Sequence, residues 1–363
     1  MTRVVVDGTP LLGTRTGVGR YTGHLLAALA AGPPGLELAA TAFTWRGLDG
    51  LADAVPVGVR AVGRRAPARL LHEAWARTEF PPVEALTGRC DLVHATNFVL
   101  PPMRRARGVV TVHDLSYLHL PDTVTAASAR YRELVPRSLR RAAVVLTPSE
   151  AIAQEISAEY GVTASATPLG VDAEWLNVSR PTADWLRHRG LPERYLLFVG
   201  TVEPRKDLPT LLRAYRMLRA DSRDCPPLVL AGPSGWGPAL DLADLSPSDV
   251  VQIGYLEEAV LRPVVAGAAA LCFPSLYEGF GLPPLEALAA GTPVVGTDIP
   301  TTREVCGNLA QLAPPRDADA LANAILTVLA APPDPAAGRA HAAEFTWART
   351  AGLTRQAYER ALA

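Results

Sequence analysis

Short apolar runs alternate with helical patterns along the first half of the chain. We predict strands at RVVVDG, LELAATAF, DLVHAT, GVVTVHD and AAVVLTPS, and a helix over residues 21–31. Continuous β-branched strands separated by helices indicate a parallel sheet that is covered on both faces. Such sheets bind ligands beyond the carboxyl ends of their strands, so the residues that follow each strand are the candidates for function.

A second alternating series fills the rest of the chain and predicts a second parallel sheet. Its strands are predicted at YLLFVG, PLVLAG, VVQIGYL, AALCFP, PVVGT and NLAQLAP. A length of 363 residues favours two domains. We place these domains at 1–170 and 171–345, followed by an amphipathic helix over 346–363.

Composition limits the classes of function. Hydrophobic residues make up 48% of the chain, which suits two well-filled cores, and a net charge of −1 argues against nucleic-acid binding. Cys90, Cys225, Cys272 and Cys306 lack metal-ligand spacing and are typical of reduced thiols in a cytosolic protein. The first residues, MTRVVVDGTP, predict a strand and not a signal peptide. We therefore expect a cytoplasmic protein without a spanning helix, and surface association with the inner membrane face stays open.

The stretch CFPSLYEGFGLPPLEALAAGTPVVGT carries the clearest chemistry. A strand over residues 268–273 leads into a Pro-Ser loop, a Gly-Phe-Gly turn and a helix with Glu286 in its first turns. Open backbone N–H groups and the helix dipole at such a place attract phosphate. The carboxylates of Glu278 and Glu286, eight residues apart, suit pairs of sugar hydroxyls. The implied ligand is a sugar joined to a nucleotide by a diphosphate.

The spacing of Glu278 and Glu286 within PSLYEGFGLPPLEALAAGTPVV resembles the signature of retaining glycosyltransferases of family 4. This resemblance implies the α/β GT-B fold, with two Rossmann-like domains whose parallel sheets face an interdomain cleft. It also implies transfer of a sugar from a nucleotide-diphosphate donor to an acceptor hydroxyl. The first domain would bind the acceptor and the second the donor.

Two cations follow the first strand of the second sheet, in GTVEPRKDLP. Arg205 and Lys206 stand where a diphosphate should lie, and Thr201 occupies the position at which family members often carry an arginine. The resemblance implies that His113 and Glu278 orient the transferred sugar and that Glu286 binds ribose hydroxyls. The expected catalytic set consists of His113, Glu278, Arg205 and Lys206. The other residues assigned to donor binding are Gly17, Gly19, Thr201, Gly232, Tyr255, Leu256, Gly279, Phe280, Gly281 and Leu282.

The acceptor side is less well defined. The loop GTPLLGTRTGVGRYT contains four glycines and Arg20, and either contacts a ligand or is a flexible turn. His94 and Asn97 follow a predicted strand and are acceptor-side candidates, although a histidine there can equally be a satisfied core residue. Eight arginines lie between Arg104 and Arg141, which is either a solvated surface or a patch for acidic lipid or a phosphate-bearing acceptor.

No Asp-x-Asp motif at a strand end suggests a divalent ion, so we expect a metal-independent enzyme without a cofactor. The T-x-E-P-R-K pattern resembles mannosyltransferases and favours GDP-mannose over UDP-sugars, with a carbohydrate, lipid-linked or natural-product acceptor. One alternative is a nucleotide-sugar epimerase of the same fold, which would need more acid–base residues around the sugar. The other is a non-catalytic sugar-nucleotide-binding subunit.

Overall fold

The chain folds into two compact units. The computed structural model describes residues 1–13, 17–221 and 225–363. The first unit contains Met1–His119, Ala126–Gly170 and Thr346–Ala363, and the second contains Leu120–Thr125 and Val171–Phe345. The end of the chain therefore belongs to the same unit as its beginning.

The described part of the first unit contains a seven-stranded parallel sheet with strand order β3-β2-β1-β4-β5-β6-β7. The strands are β1 Thr2–Asp7, β2 Leu36–Thr41, β3 Arg60–Ala61, β4 Leu92–Ala95, β5 Arg107–Thr111, β6 Val144–Thr147 and β7 Ala164–Ala166. All five predicted strands are present. The two unpredicted strands, β3 and β7, lie at the sheet edges and contain no β-branched residue.

The second unit, over its described residues, contains a six-stranded parallel sheet with strand order β10-β9-β8-β11-β12-β13. Its strands are β8 Leu196–Val199, β9 Leu228–Ala231, β10 Val250–Gly254, β11 Ala270–Phe273, β12 Val294–Thr297 and β13 Ala310–Ala313. Every strand coincides with a predicted one. The predicted α/β class with two Rossmann-like parallel sheets is confirmed.

The helices that cover the sheets follow in chain order. They are α1 Gly17–Ala31, α2 Leu51–Ala54, α3 Ala68–Arg77, α4 Glu84–Thr87, α5 Ser116–His119, α6 Ala126–Ala129, α7 Tyr131–Arg141, α8 Glu150–Tyr160, α9 Ala173–Leu176, α10 Ala183–Arg187, α11 Leu208–Asp221, α12 Glu258–Gly267, α13 Leu282–Ala290, α14 Pro300–Cys306, α15 Ala318–Ala330, α16 Pro335–Ala342 and α17 Trp347–Leu362. Short 3-10 turns occupy Thr9–Leu11, Leu48–Gly50, Pro121–Thr123 and Pro204–Lys206. Within the described ranges, no helix has both the length and the apolar character needed to cross a bilayer.

The final helix, α17, packs on the first unit, against α1 and the strands β4, β5 and β6. Thr346 caps its start by accepting a hydrogen bond from the backbone N–H of Arg349 at 3.1 Å. Its buried residues recur at helical spacing and include Thr350, Thr354 and Tyr358. This buried stripe, which combines small, hydroxyl-bearing and aromatic residues, is the face of α17 that packs on the sheet and α1.

Strand order defines one ligand-binding position in each sheet. In both sheets the order reverses beside the first strand, between β1 and β4 and between β8 and β11. Ligands of open α/β sheets bind beyond the carboxyl ends of the strands at such a switch point. The residues placed there are Asp7 and Thr96 in the first unit, and Gly200 and Pro274 in the second.

Candidate functional site

Two loops meet at the switch point of the second sheet. One follows β8 and ends in the 3-10 turn Pro204–Lys206, and the other follows β11 and leads into α13. The backbone N–H of Leu276 donates to the carbonyl oxygen of Arg205 at 2.9 Å, which ties the loops together. The parallel sheet thus joins two segments about 70 residues apart in sequence.

Four charged side chains, three of them buried and one half-buried, form a cluster between these loops. Lys206 Nζ donates to Glu278 Oε1 at 2.5 Å, and Arg205 Nη1 donates to Glu278 Oε2 at 2.7 Å. Arg205 Nη2 also donates to Glu203 Oε1 at 2.7 Å. We call Glu203, Arg205, Lys206 and Glu278 the Glu278 cluster. Its formal charges cancel, so the two cations also stabilise the protein's own carboxylates.

The Glu278 carboxyl remains ionised despite burial. Burial alone would raise its pKa, but the charges of Arg205 and Lys206 and the hydrogen bond from Lys206 lower the pKa of Glu278 to about 2. An ionised carboxylate can only accept hydrogen bonds, so at neutral pH it suits sugar hydroxyls and is not a proton donor. Lys206 also lies 5.1 Å from the centre of the Phe273 ring, which adds a cation–π contact.

Arg205 is used differently from the expectation that it serves only as a phosphate clamp. Besides Glu203 and Glu278, its Nη1 donates to the carbonyl oxygen of Tyr277 at 2.7 Å. One planar guanidinium therefore holds both loops in place. The sequence analysis did not single out Glu203, although its position two residues before Arg205 made this contact possible.

The predicted anion-binding turn lies before α13. Gly281 precedes the helix with a φ of 104°, a backbone conformation that favours glycine. Pro283 and Pro284 follow in the first turn and have no N–H group, so the backbone donors at this helix start come from residues 279–282. Glu286, on the next turn, is buried with 2% of its surface exposed.

Of the other predicted donor residues, Gly232 and Thr201 lie beside the loop that follows β8. A Cβ atom at Gly232 would lie 2.0 Å from the carbonyl oxygen of Gly200, so this glycine permits close approach of the β8 and β9 ends. Gly235 likewise has no Cβ atom, which allows the side chain of Thr201 to pack closely against it. Tyr255 and Leu256 follow the edge strand β10, and Tyr255 is exposed. Tyr255 and Leu256 thus belong to the edge of the sheet, two strands from β8.

Comparison with known proteins agrees with this arrangement. Residues 193–331 match the family model described as Glycosyl transferases group 1, and residues 15–175 match the one described as Glycosyltransferase Family 4. O-antigen chain mannosyltransferase B of Escherichia coli is 32% identical over 310 residues, covering 80% of this chain and 78% of that protein. The chain belongs to glycosyltransferase family 4. It is a glycosyltransferase.

Solved structures agree on the fold of this family 4 protein. Sucrose-phosphate synthase from Thermosynechococcus elongatus has a TM-score of 0.75 at 22% identity and covers 99% of both chains. HepE from Anabaena in complex with UDP has a TM-score of 0.70 at 17% identity, covering 99% of this chain and 100% of that chain. At such identities the likeness establishes the GT-B fold alone.

In the first unit of the family 4 chain, His113 lies just beyond β5. Its Nε2 lies 2.7 Å from the carbonyl oxygen of Thr96, which can only accept, so Nε2 carries the proton. Burial lowers the pKa of His113, and the ring is therefore neutral at physiological pH. In this tautomer Nδ1 is a hydrogen-bond acceptor, which suits a sugar hydroxyl.

His94 does not fit its predicted place on the acceptor side. It is fully buried, and its two ring nitrogens lie 2.8 Å from the hydroxyls of Tyr358 and Thr111. Burial and the nearby His113 lower the pKa of His94 to about 3. His94 is a core residue that connects α17 to β5. The sequence analysis had left this alternative open.

The glycine-rich stretch also differs from the prediction. Gly17 and Gly19 lie inside α1, which begins four residues before the predicted helix start. Arg20, on the same helix, is half-buried. Residues 14–16 of the predicted loop lie outside the described residues. Gly17 and Gly19 had suggested an open loop, but both residues belong to the first turn of α1.

Asn97 follows the carboxyl end of β4 and lies beside a half-buried tyrosine. Its side chain hydrogen-bonds the phenol of Tyr131, a residue of α7, and the ring of Tyr131 stacks on Phe98 at 4.5 Å. The sequence analysis named neither Tyr131 nor Asp7, which ends β1 nearby. An acid at the end of the first strand was a signal that could have identified Asp7.

Several arginines of the basic region have structural roles. Arg141 donates to both carboxylate oxygens of Glu79, at 2.7 and 2.8 Å, and to the backbone carbonyls of Trp75 and Leu100. Arg130 pairs with Glu73 at 2.6 Å. Arg141 therefore holds α7 against the segment around α3, and its charge is not available to an acidic surface.

Proposed function

We propose that this protein is a retaining mannosyltransferase that transfers mannose from GDP-mannose to a hydroxyl of a carbohydrate acceptor. The observation that carries the proposal is the buried Glu278 cluster at the switch point of the second sheet. It joins an ionised sugar-binding carboxylate to two cations that suit a diphosphate. The mannosyltransferase identity of the E. coli relative supports the choice of sugar.

In the proposed reaction, the bond from the anomeric carbon to the diphosphate oxygen breaks. A bond from the same carbon to the acceptor oxygen forms on the same face of the sugar. The proton of the acceptor hydroxyl passes to the departing phosphate oxygen, and GDP leaves. Lys206 stabilises the charge that develops on the diphosphate, because preorganised charge in a buried site needs little rearrangement.

The polar groups around the donor have separate roles in this proposal. In the second unit, Glu278 accepts hydrogen bonds from hydroxyls of the transferred sugar and orients its ring. In the first unit, the neutral His113 offers Nδ1 as an acceptor for a sugar hydroxyl. Glu286 binds the ribose hydroxyls, and the backbone N–H groups of residues 279–282 face the phosphates. Arg205 holds Glu278 and its loop in place.

We also propose that the reaction needs no divalent ion. Arg205 and Lys206 provide two positive charges where other nucleotide-sugar enzymes use a metal ion. Activity should therefore survive an excess of EDTA. Full loss of activity with EDTA, and its recovery with magnesium or manganese, would contradict this part of the proposal.

The proposed function is tested with purified protein, GDP-mannose, and p-nitrophenyl α-mannoside as the acceptor probe. We expect acceptor-stimulated release of GDP and an α-mannoside product, whose anomeric configuration is measured by NMR. UDP-glucose serves as the competing donor. A β-linked product would exclude retention, and an epimerised nucleotide sugar without GDP release would indicate an epimerase. Nucleotide binding without turnover would indicate a non-catalytic subunit.

A further inference from the structure

We propose that Asp7 binds a hydroxyl of the acceptor sugar, and that the acceptor group at this place is a neutral carbohydrate. This inference rests on the proposed function and deepens its acceptor side. Asp7 ends β1, at the point where strand order reverses between β1 and β4. A ligand of the first sheet is expected beyond this strand end.

Hydrogen bonds connect Asp7 to the residue proposed to contact the transferred sugar. The hydroxyl of Thr96 donates to the carbonyl oxygen of Asp7 at 2.7 Å, and the carbonyl of Thr96 accepts from His113 Nε2 at 2.7 Å. Thr96 thus ties the ends of β1, β4 and β5 together. Because neighbouring strands lie about 4.8 Å apart, the β1 and β5 ends are about 10 Å apart. Asp7 therefore lies two strands from β5, the strand that precedes His113, with β4 between them.

The groups around Asp7 suit a hydroxyl-rich ligand. Asn97 and the phenol of Tyr131 lie at the same edge. Burial, followed by the charge of Asp114, raises the pKa of Tyr131 to about 12, and Asp7 contributes to that rise. Carboxylates, an amide and a phenol together bind vicinal hydroxyls well. Two carboxylates, Asp7 and Asp114, would repel a phosphate, which makes a phosphorylated sugar a poor ligand here.

The fold does not need the charge of Asp7. Its Oδ1 accepts a hydrogen bond from the backbone N–H of Thr9 at 2.9 Å, and the amide oxygen of an asparagine would accept the same bond. Burial raises the pKa of Asp7 to about 6, although Thr9 partly opposes this. A buried carboxylate that disfavours its own ionisation and serves no ion pair in the described structure is a candidate for function.

The test compares Asp7→Asn with the control Asp91→Asn. Asp91 accepts a hydrogen bond from the backbone N–H of Arg3, at the end of the same sheet where the strands begin. Steady-state kinetics use GDP-mannose and p-nitrophenyl α-mannoside at about pH 7.5. We expect Asp7→Asn to raise the acceptor KM by about tenfold or more, the usual scale for loss of a charge-assisted hydrogen bond. Donor KM and GDP release to water should not change.

A pH profile separates this role from a structural one. In the wild type, acceptor KM should rise as the pH falls through about 6, because a protonated Asp7 accepts less strongly. Asp7→Asn should lose this dependence. The other titratable or charged groups on the elements near Asp7 include Arg20 and Tyr21 on α1, and Tyr131, His113, Asp114 and His94. Burial raises the pKa of both tyrosines and lowers those of both histidines, away from this range.

The outcomes distinguish the two proposals. Unchanged acceptor KM and pH profile in Asp7→Asn, with an active wild type, would overturn the role of Asp7 and leave the proposed function standing. A wild type that shows no acceptor-stimulated GDP release would overturn the proposed function and this role with it. Mannose 6-phosphate that serves as well as the neutral mannoside would overturn the inference of a neutral acceptor. Thermal melting confirms the fold of each variant.

Discussion

At the scale of single residues, Glu278 illustrates how a buried carboxylate keeps its charge. Burial opposes ionisation, and the charges of Arg205 and Lys206, together with hydrogen bonds, reverse that effect. A buried charge that loses its partner is strongly destabilised, so each member of the Glu278 cluster depends on the others. Function and local stability are therefore coupled at this site.

Lys206 is the one lysine of the chain. Every other residue among its lysines and arginines is an arginine. We expect Lys206→Ala to lower turnover by about tenfold or more, or about 1.4 kcal/mol of lost leaving-group stabilisation. Lys206→Arg should recover part of the rate, because a second planar fork fits poorly beside Arg205. Steady-state kinetics with GDP-mannose measure both effects.

The matched control is Arg187→Ala, which removes an exposed cation of the second unit that pairs with Asp184. It should behave as the wild type, because exposed ion pairs contribute little. Turnover of Lys206→Ala close to wild type would remove this residue from the site. Full rescue by arginine would show that charge alone suffices.

Asp7 should reduce stability at alkaline pH. Its pKa is raised from 3.8 to about 6 on folding, so the unfolded chain ionises first as the pH rises. The penalty is absent below the unfolded pKa and is complete once the pH passes about 6, where it is on the order of 3 kcal/mol. Asp7→Asn should therefore be more stable than the wild type at about pH 8, with a difference that shrinks towards about pH 4.

Urea denaturation at both pH values measures this difference, and Asp91→Asn again serves as the control. Equal stability of Asp7→Asn and wild type at the higher pH would mean that the folded protein accommodates the charge of Asp7 without cost. The asparagine variant would then differ from the wild type in acceptor binding alone.

At the scale of elements, the ends of the neighbouring strands β8 and β9 approach closely because one residue there is glycine. Gly232 has a φ of 145°, and its missing Cβ would lie 2.0 Å from the Gly200 carbonyl oxygen. We expect Gly232→Ala to lower the free energy of unfolding by about 3 kcal/mol or more, since backbone must move to relieve the contact. Thermal and chemical unfolding measure the loss.

Gly352→Ala provides a control of opposite sign. Gly352 lies inside α17, where a Cβ would meet no atom within 4 Å. Alanine there should raise stability by about 0.5–1 kcal/mol, because glycine costs a helix conformational entropy. Gly232→Ala with wild-type stability would show that the loops after β8 and β9 can move apart freely.

At the scale of the whole molecule, the last helix completes the first unit across almost the full length of the chain. Tyr358 and His94 are 264 residues apart and bond at 2.8 Å in the core. Tyr358→Phe would leave a buried ring nitrogen of His94 without its partner, and we expect a cost of about 1–3 kcal/mol. Chemical denaturation measures it.

Tyr160→Phe is the matched control for this prediction. Its hydroxyl bonds that of Tyr117 at 3.1 Å and is only half-buried, so water can replace the lost bond. We expect a smaller loss there. Equal losses in the two variants would mean that the His94 contact does not anchor α17.

The sequence by itself determined the two sheets, the turn before α13 and the family. These features depend on neighbours in the chain: β-branched runs become buried strands, and Gly281 allows the turn that starts a helix. The two edge strands of the first sheet, β3 and β7, escaped prediction for the same reason, since Arg60 and Ala61, for example, carry no apolar pattern. Local patterns were sufficient wherever local interactions select the structure.

Tertiary structure alone decided the electrostatics of the sites. Glu278 meets Arg205 and Lys206 from 73 and 72 residues away, and that pairing keeps its buried carboxylate ionised. The distinction between His94 in the core and His113 at the sheet edge also required the fold. Asp7 gained its importance from strand order, which no short stretch of sequence encodes. Burial and long-range partners set the charge state of a side chain, and both exist only after the chain has folded.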